Sequence, residues 1–377
     1  MTMTDDAILS RGMIVRRDDF HATRSDEQIL RPQEGQAVLQ LDHFALTANN
    51  VTYIAVGDDM GYWQFFPAPE GWGRVPVWGF GDVVASRCPD LPVGERVYGY
   101  FPMSTHLMVT PAPVEADQFV DSAPHRAHLP PVYNIYRRRA AAPRQEEYLH
   151  ELLSPLYTTS FLVGDFLQDN GWFGAERLVI ASASSKTALG LGYYLSSHED
   201  RPAEVVALTS ARSVSFLEQT GYFDRVVGYD DLDSLPADTA TVYTDFSGDV
   251  ALRTRVHGHF TGLAYDCLVG GTHWEELTGE ANGSAFFSLT GDGPETGTRI
   301  PTSFFFAPTQ MDKRFADWGE DVFYDRLGQS WVGFSASALG WLRFIEVRGA
   351  DAATADYIRV LDGHVSADEG HILSMND

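Results

Sequence analysis

The chain has 377 residues, 44% of them hydrophobic, with a formal net charge of −25. That length predicts one large or two medium domains of roughly 100–200 residues each. The charge argues against nucleic acid and anionic membrane surfaces as partners, and two cysteines, Cys88 and Cys267, exclude a disulfide framework or a four-cysteine zinc site and make a reducing cytoplasm the expected compartment.

In chain order, the start MTMTDDAILSRG is acidic and polar, unlike a signal peptide. No later run approaches the ~20 apolar residues of a membrane span. Residues 1 to about 150 read as β-rich. Gln36–Leu46 alternates like a strand, and Gly81–Ser86 and Gly94–Tyr100 read as short strands bounded by Gly and Pro. Between them lies an aromatic loop with Tyr62, Trp63, Phe65, Phe66, Trp72 and Trp78, which suits either core packing or a wall for a flat ligand. Short strands with frequent turns predict a barrel or sandwich. Ala112–Arg144 is rich in Pro, Ala and Arg and is expected to be a connector. Its Tyr133, Asn134 and Tyr136 either line a cleft or pack at the surface. Its Arg137–Arg139 either meet an anionic ligand or form a solvated patch. Ser154-Pro155 reads as a helix start, Ser capping and Pro in the first turn.

From there a βαβ rhythm predicts strands at 178–181, 204–209, 225–229, 241–245, 262–268 and 303–307, with helices at 187–197 and 213–220. Such alternation implies a doubly wound parallel sheet, an α/β fold, over about residues 151–334. The tail from about 335, with a strand at 342–347 and a helix at 352–361, is expected to return to the first domain.

The turn after the first of these strands carries the chemistry. A dinucleotide turn uses glycines for a tight bend, for backbone approach to the pyrophosphate and for helix–strand packing. Here Ser182, Ser185 and Ala188 stand at those places. Ser184, Ser185, Thr187 and the amides of the helix start can donate to phosphate. Lys186 is one of only two lysines in the chain, and its place in this turn of an acidic protein points to an anion. The string Ser184–Thr187 also matches the end of a triphosphatase loop, but the upstream Gly-x-x-x-x-Gly is absent. The second strand runs into Thr209-Ser210-Ala211-Arg212. Ser210 and Arg212 suit a ribose 2′-phosphate better than a 2′-hydroxyl, which favours NADP(H); a helix cap plus a solvated arginine is the plainer alternative. Tyr229, Asp245 and Ser247, at the ends of the third and fourth strands, fall on the edge that faces a cofactor crevice.

Four segments together resemble the medium-chain dehydrogenase/reductase superfamily, particularly its zinc-free quinone oxidoreductase-like branch. They are Thr47–Tyr53, Val93–Gly99, Leu156–Ser160 and residues 178–195. Within that superfamily, the Ala-Ser-Ala-Ser-Ser-Lys-Thr-Ala turn resembles a poorly characterised group catalogued as a domain of unknown function. The resemblance implies a Rossmann-type domain plus a GroES-like substrate domain. It implies Tyr53 as hydrogen-bond donor or proton relay, Asn49 or Asn50 as oxygen-orienting groups and Thr158 beside the nicotinamide carboxamide; the plainer alternatives are a core tyrosine with a satisfied hydroxyl and, for the asparagines, a turn or strand cap. Gly270 and Thr272 follow the strand at 262–268, at the edge facing the crevice, where glycine permits close backbone approach to the nicotinamide side, and one ring of Phe304–Phe306, Phe305 foremost, is expected near the nicotinamide. His273, beside Trp274, is either an acid or a structural histidine. Trp78-Gly79-Phe80-Gly81-Asp82 replaces the Gly-His-Glu segment of the zinc branch, so no metal is expected.

The expected function is an NADPH-dependent reduction of an activated double bond or carbonyl (an enone, quinone or ketone). The partner is then a small apolar or aromatic substrate, and the resemblance points to a homodimer. Two alternatives stay open, and the glycine-free turn favours both: non-redox lyase or cyclase chemistry on the same fold, and a nucleotide-binding relative without turnover.

Overall fold

The structure is a computed structural model and describes residues 7–269 and 300–377. In chain order the strands are β1 (Ile8–Arg16), β2 (Asp19–Leu30), β3 (Ala37–Leu46), β4 (Trp72–Arg74), β5 (Pro76–Ser86), β6 (Arg96–Pro102), β7 (His106–Val109), β8 (Pro111–Val114), β9 (Gln118–Asp121), β10 (Ile135–Arg139), β11 (Arg177–Ala181), β12 (Glu204–Thr209), β13 (Arg225–Gly228), β14 (Thr241–Asp245), β15 (Leu263–Leu268), β16 (Thr302–Phe304), β17 (Arg343–Arg348) and β18 (Glu369–Ser374). The α-helices are α1 (Ala48–Ala55), α2 (Arg144–Asp169), α3 (Lys186–Ser196), α4 (Val214–Thr220), α5 (Val250–His259), α6 (Ala307–Trp318), α7 (Glu320–Ala338) and α8 (Ala350–Leu361).

The chain divides into two compact units. The first comprises Met1–Leu152, Phe344–Val365 and Glu369–Asp377; the second comprises Leu153–Arg343 and Ser366–Asp368. The first unit is β-rich. A three-stranded sheet has the order β2-β1-β4, and a nine-stranded sheet runs β17-β18-β3-β5-β6-β10-β9-β8 with β7 also on β3. β3 pairs with β5 along most of its length and with β7 and β18 at its two ends, and most of its residues are buried. The Pro- and Arg-rich stretch expected as a connector instead supplies three strands of this sheet, β8 to β10. Arg138 pairs with Glu95 at 3.2 Å, and the exposed Arg139 donates to His150 on α2.

The second unit is a doubly wound sheet of Rossmann type, with six parallel strands in the order β13-β12-β11-β14-β15-β16. β11 (RLVIA) and β14 (TVYTD) are buried at every position, as central strands covered on both faces must be. With this strand order, the right-handed crossover rule for parallel strands assigns α3 and α4 to one face and α5 to the other. α5 covers that face with Leu252 and Val256, packed with Val179, Ala181, Val206, Leu208 and Tyr243. α5 is also pinned by charge: Arg253 Nε and His257 Nε2 lie 2.8 and 2.7 Å from Oδ2 of the buried Asp266. Ser154-Pro155 does not start a helix. α2 begins ten residues earlier, at Arg144, and carries Pro155 in its interior.

Candidate functional site

The register of the parallel sheet builds the first cluster. Ala181 is level with Leu208 on one side and Asp245 on the other, and Thr209 is level with Gly228. The residues just beyond these, Ser182, Ser210, Tyr229 and Phe246, therefore leave the sheet along one edge, with Asp245 beside them. Ser182 takes φ 51°, the left-handed conformation usually left to glycine, and its carbonyl accepts from Ser185 N–H at 2.8 Å. Ser185 caps α3 by accepting from Ala188 N–H at 3.3 Å. Ala188 is fully buried, so a small side chain does the packing of the third glycine.

Lys186 opens α3 and is half-buried. Ser184 Oγ accepts from Thr209 Oγ1 at 3.5 Å. The Thr187 carbonyl accepts from Ser160 Oγ on α2 at 2.6 Å, which ties this stretch of α2 to the turn. Thr158, two residues before Ser160, donates its own hydroxyl to the Ser154 carbonyl at 2.9 Å. Ser210 Oγ is 3.4 Å from Ser213 Oγ, and Arg212 is exposed on the short 3-10 turn after β12. Tyr229 is hydrogen-bonded to Ser182, and burial pushes its hydroxyl up to about 12.

Asp245 is almost wholly buried. Its Oδ1 accepts from Ser247 N–H at 2.7 Å, Ser247 Oγ at 2.5 Å and Gly248 N–H at 3.3 Å, whereas its Oδ2 has no partner. Burial raises this carboxyl to about 6 against those bonds. Phe305 is buried, its ring 5.5 Å from Phe166. Gly270, Thr272, His273 and Trp274 lie outside the described residues.

The second cluster belongs to the β-rich unit. Tyr53 on α1 is buried. Its hydroxyl accepts from Trp78 Nε1 at 3.3 Å and is also bonded to Asn49 and Tyr133; burial keeps it protonated above its ordinary value. Tyr62 and Tyr133 hydroxyls meet at 3.0 Å. The Tyr53 ring lies 4.7 Å from Tyr62 and 5.7 Å from Tyr100, and the buried Tyr100 hydroxyl has no partner. Tyr133 thus joins the cluster, while its expected companions do not: Asn134 and Tyr136 are buried around Arg126, which donates to both.

Asn50 needs correction. Its Oδ1 accepts from Thr47 N–H at 2.7 Å and its Nδ2 donates to the Pro76 carbonyl at 2.8 Å. The amide is spent on capping α1 and anchoring it to β5, which leaves Asn49 as the asparagine of the pair beside Tyr53. Sequence reasoning missed Tyr98 and Tyr100, although their i, i+2 spacing on β6 places both on one face. It also missed a buried polar group in which His43 bridges Glu151 (2.8 Å) and Glu147 (3.1 Å) while Arg96 bonds Glu147, Asp82 and Asp42. Burial there raises Glu151 to about 7.

Among the described residues no group of three His, Cys, Asp or Glu side chains is placed to hold a metal ion, and no helix is long and apolar enough to cross a membrane. Residues 44–366 match a family described as a protein of unknown function, DUF2855. The chain belongs to that family. No curated protein matches its sequence. The DUF2855 chain shares its fold with several solved structures. CurA from Vibrio vulnificus in complex with NADPH is 14% identical at a TM-score of 0.65, over 97% of this chain and 99% of that one. CurK enoyl reductase is 12% identical at 0.54 over 97% and 99%. TarJ of S. aureus in complex with NADPH is 9% identical at 0.54, over the same shares. At these identities the likeness is one of fold: a Rossmann-type sheet together with a GroES-like β-rich part.

Proposed function

We propose that this DUF2855 protein is an NADPH-dependent oxidoreductase that reduces an activated C=C or carbonyl group of a small apolar or aromatic molecule without a metal. The observation that carries this reading is the turn after β11. There Ser182 adopts the conformation of a dinucleotide-turn glycine and leads into the capped N-terminus of α3. Helix amides and dipole at such a place attract a pyrophosphate. Arg212, Lys186, Ser210 and Tyr229 suit the 2′-phosphate, a guanidinium being well matched to a phosphate oxygen pair. Asp245 fits the same reading by its place, at the end of β14 level with Ala181, on the edge where a doubly wound sheet meets the ribose. The structural likeness to CurA and TarJ, both solved with NADPH, supports the same cofactor.

NADPH, when bound, supplies the hydride. The residues of the chain bind it, orient it and manage a proton. Ser182, Ser184, Ser185 and Thr187 hold phosphate. Ser247 is assigned to a ribose, and Thr158 and Phe305 to the nicotinamide end, together with the sequence-read Gly270 and Thr272, which lie outside the described residues. Tyr53 donates a hydrogen bond, then a proton, to the oxygen or carbon on which charge develops, and Asn49 and Trp78 fix its hydroxyl. Burial keeps Tyr53 protonated at neutral pH, the state a donor needs. The Trp78–Asp82 segment, which lacks the zinc branch's Gly-His-Glu, supports the metal-free form.

Fluorescence titration tests the cofactor. NADPH should bind about tenfold more tightly than NADH, a difference of ~1.4 kcal/mol, and Lys186→Ala or Arg212→Ala should abolish the preference. NADPH oxidation with a panel of enones and quinones tests the chemistry. Tyr53→Phe should lower kcat about 100-fold with NADPH affinity unchanged. Absence of NADPH binding ends the reading. Tight binding with no turnover on the panel favours lyase or cyclase chemistry, to which the strained, glycine-free turn also lends weight.

A further inference from the structure

A concavity lies within the Rossmann-type unit, away from the phosphate turn. It has a volume of about 720 Å³ and is walled by α2, α3, α6 and α7. Tyr193, Tyr194, Ser197 and His198 line it from the C-terminal end of α3. Lys186, at the other end of the helix, is some 12 residues away, or about 18 Å at 1.5 Å per residue. The volume falls in the range of small-molecule sites, ~300–1,000 Å³.

The walls are aromatic and the charges are sorted. Arg314 is fully committed: it bonds Asp165 at 2.6 Å, Asp169 at 3.0 Å and Asp317 at 2.8 Å. Lys313 adds a second bond to Asp169 at 2.9 Å. Lys313 and Arg314 also bond Asp317, each at 2.8 Å, so both carboxylates in the lining, Asp165 and Asp169, are ion-paired and neither cation is free for a ligand. Arg326 differs. Arg326 is exposed; its guanidinium sits over the Trp318 ring at 4.2 Å, Arg314 also lies over that ring at 4.6 Å, and among the described residues Arg326 makes no ion pair. The helix explains why. The neighbours of Arg326 on its own face of α7 are Val322, Phe323, Gln329 and Ser330, none of them acidic. In a chain with 52 Asp and Glu against 27 Lys and Arg, this arginine is held by an aromatic ring, with Gln329 and Ser330 beside it on the same lining.

We propose that this concavity binds a planar aromatic carboxylate, its carboxylate on Arg326 and Gln329 and its ring against Tyr193. A guanidinium matches a carboxylate with two parallel N–H···O bonds, and aromatic walls favour a flat apolar body. The proposal does not depend on NADPH chemistry at the turn.

The test is calorimetric titration of the full chain with benzoate, phenylacetate and indole-3-acetate, with benzamide and acetate as controls. The aromatic acids should bind, benzamide and acetate at least tenfold more weakly. Arg326→Gln should weaken the acids at least tenfold, and Arg326→Lys should restore part of the affinity. Gln329→Trp, a substitution at an exposed position, should fill the concavity and abolish binding. Unchanged thermal melting of each variant establishes that its fold is intact. Failure of all three acids to bind at millimolar concentration overturns the proposal. So does binding that survives both Arg326→Gln and Gln329→Trp, and so does displacement of the acids by NADPH.

Discussion

Asp245 shows how one side chain couples burial, titration and a proposed contact. Three donors meet its Oδ1 and none meets its Oδ2, and burial raises the carboxyl from 3.8 to about 6. The native state therefore holds this proton more strongly than the unfolded chain. The stability it contributes is fully present below about pH 4 and is lost as pH rises through about 6. Asp245→Asn removes that titration. The variant should gain on the parent by up to about 3 kcal/mol between pH 4 and pH 8, read as the difference in urea midpoints at several pH values. A difference independent of pH would mean that the carboxylate is ionised throughout. Asp245 is legible in the sequence because it ends a strand on the expected edge. Asn50 misleads for a physical reason: an asparagine that orients a ligand and one that caps a helix look alike until the partners of both amide atoms are known. Tyr133 reads as part of a connector because the strands around it carry Pro and Arg in place of apolar alternation.

At the scale of elements, α2 and α3 touch through glycine. A Cβ on Gly164 would lie 2.4 Å from the Tyr194 ring, and one on Gly190 would lie 2.5 Å from Ser160 Oγ. Gly328, inside α7, has nothing within 4 Å of its missing Cβ. One substitution should thus act with opposite signs. Gly164→Ala should destabilise by about 1–3 kcal/mol through overpacking, despite the better helix propensity of alanine. Gly328→Ala should stabilise by up to about 1 kcal/mol. Equal effects in chemical denaturation would show that propensity, and not helix contact, controls both sites. The same logic separates the elements that can be read from those that cannot. β11 and β12 are continuous apolar runs because both faces are covered, and their bounds are legible to within a residue. β2 (DFHATRSDEQIL) has only two fully buried positions, so it shows no alternation and is held by its ladder to β1. α5 buries Arg253 on Asp266 and so lacks the apolar stripe that announces a helix. In α2 the Ser154-Pro155 pair imitates a start, because a proline inside a helix removes one N–H yet leaves the neighbouring turns intact.

At the scale of the molecule, the β-rich unit is assembled from both ends of the sequence. β18 pairs with β3 through His371–Leu46, Ile372–Ala45 and Leu373–Phe44. Tyr357 on α8 donates to the Phe20 carbonyl at 3.1 Å, and Asn376 Nδ2 donates to the Leu41 carbonyl at 2.6 Å. His371 and Asp356, both buried, meet at 2.7 Å. A chain ending at Arg343 keeps every strand from β1 to β16 but loses this closure. β3 then presents unpaired backbone beside the apolar Phe44, Ala45 and Leu46, a template for intermolecular pairing. The truncated protein should be insoluble or should aggregate on gel filtration. A milder form of the same lesion is Leu373→Ala, at a fully buried position, which should cost about 2–5 kcal/mol with the chain still soluble. A truncated protein that stays monomeric, with the parent's melting temperature, would mean that the first 152 residues fold without the tail. The aggregation is expected because the tail supplies both a hydrogen-bonded edge and the apolar cover of α8, whose Ala353, Tyr357, Val360 and Leu361 are buried.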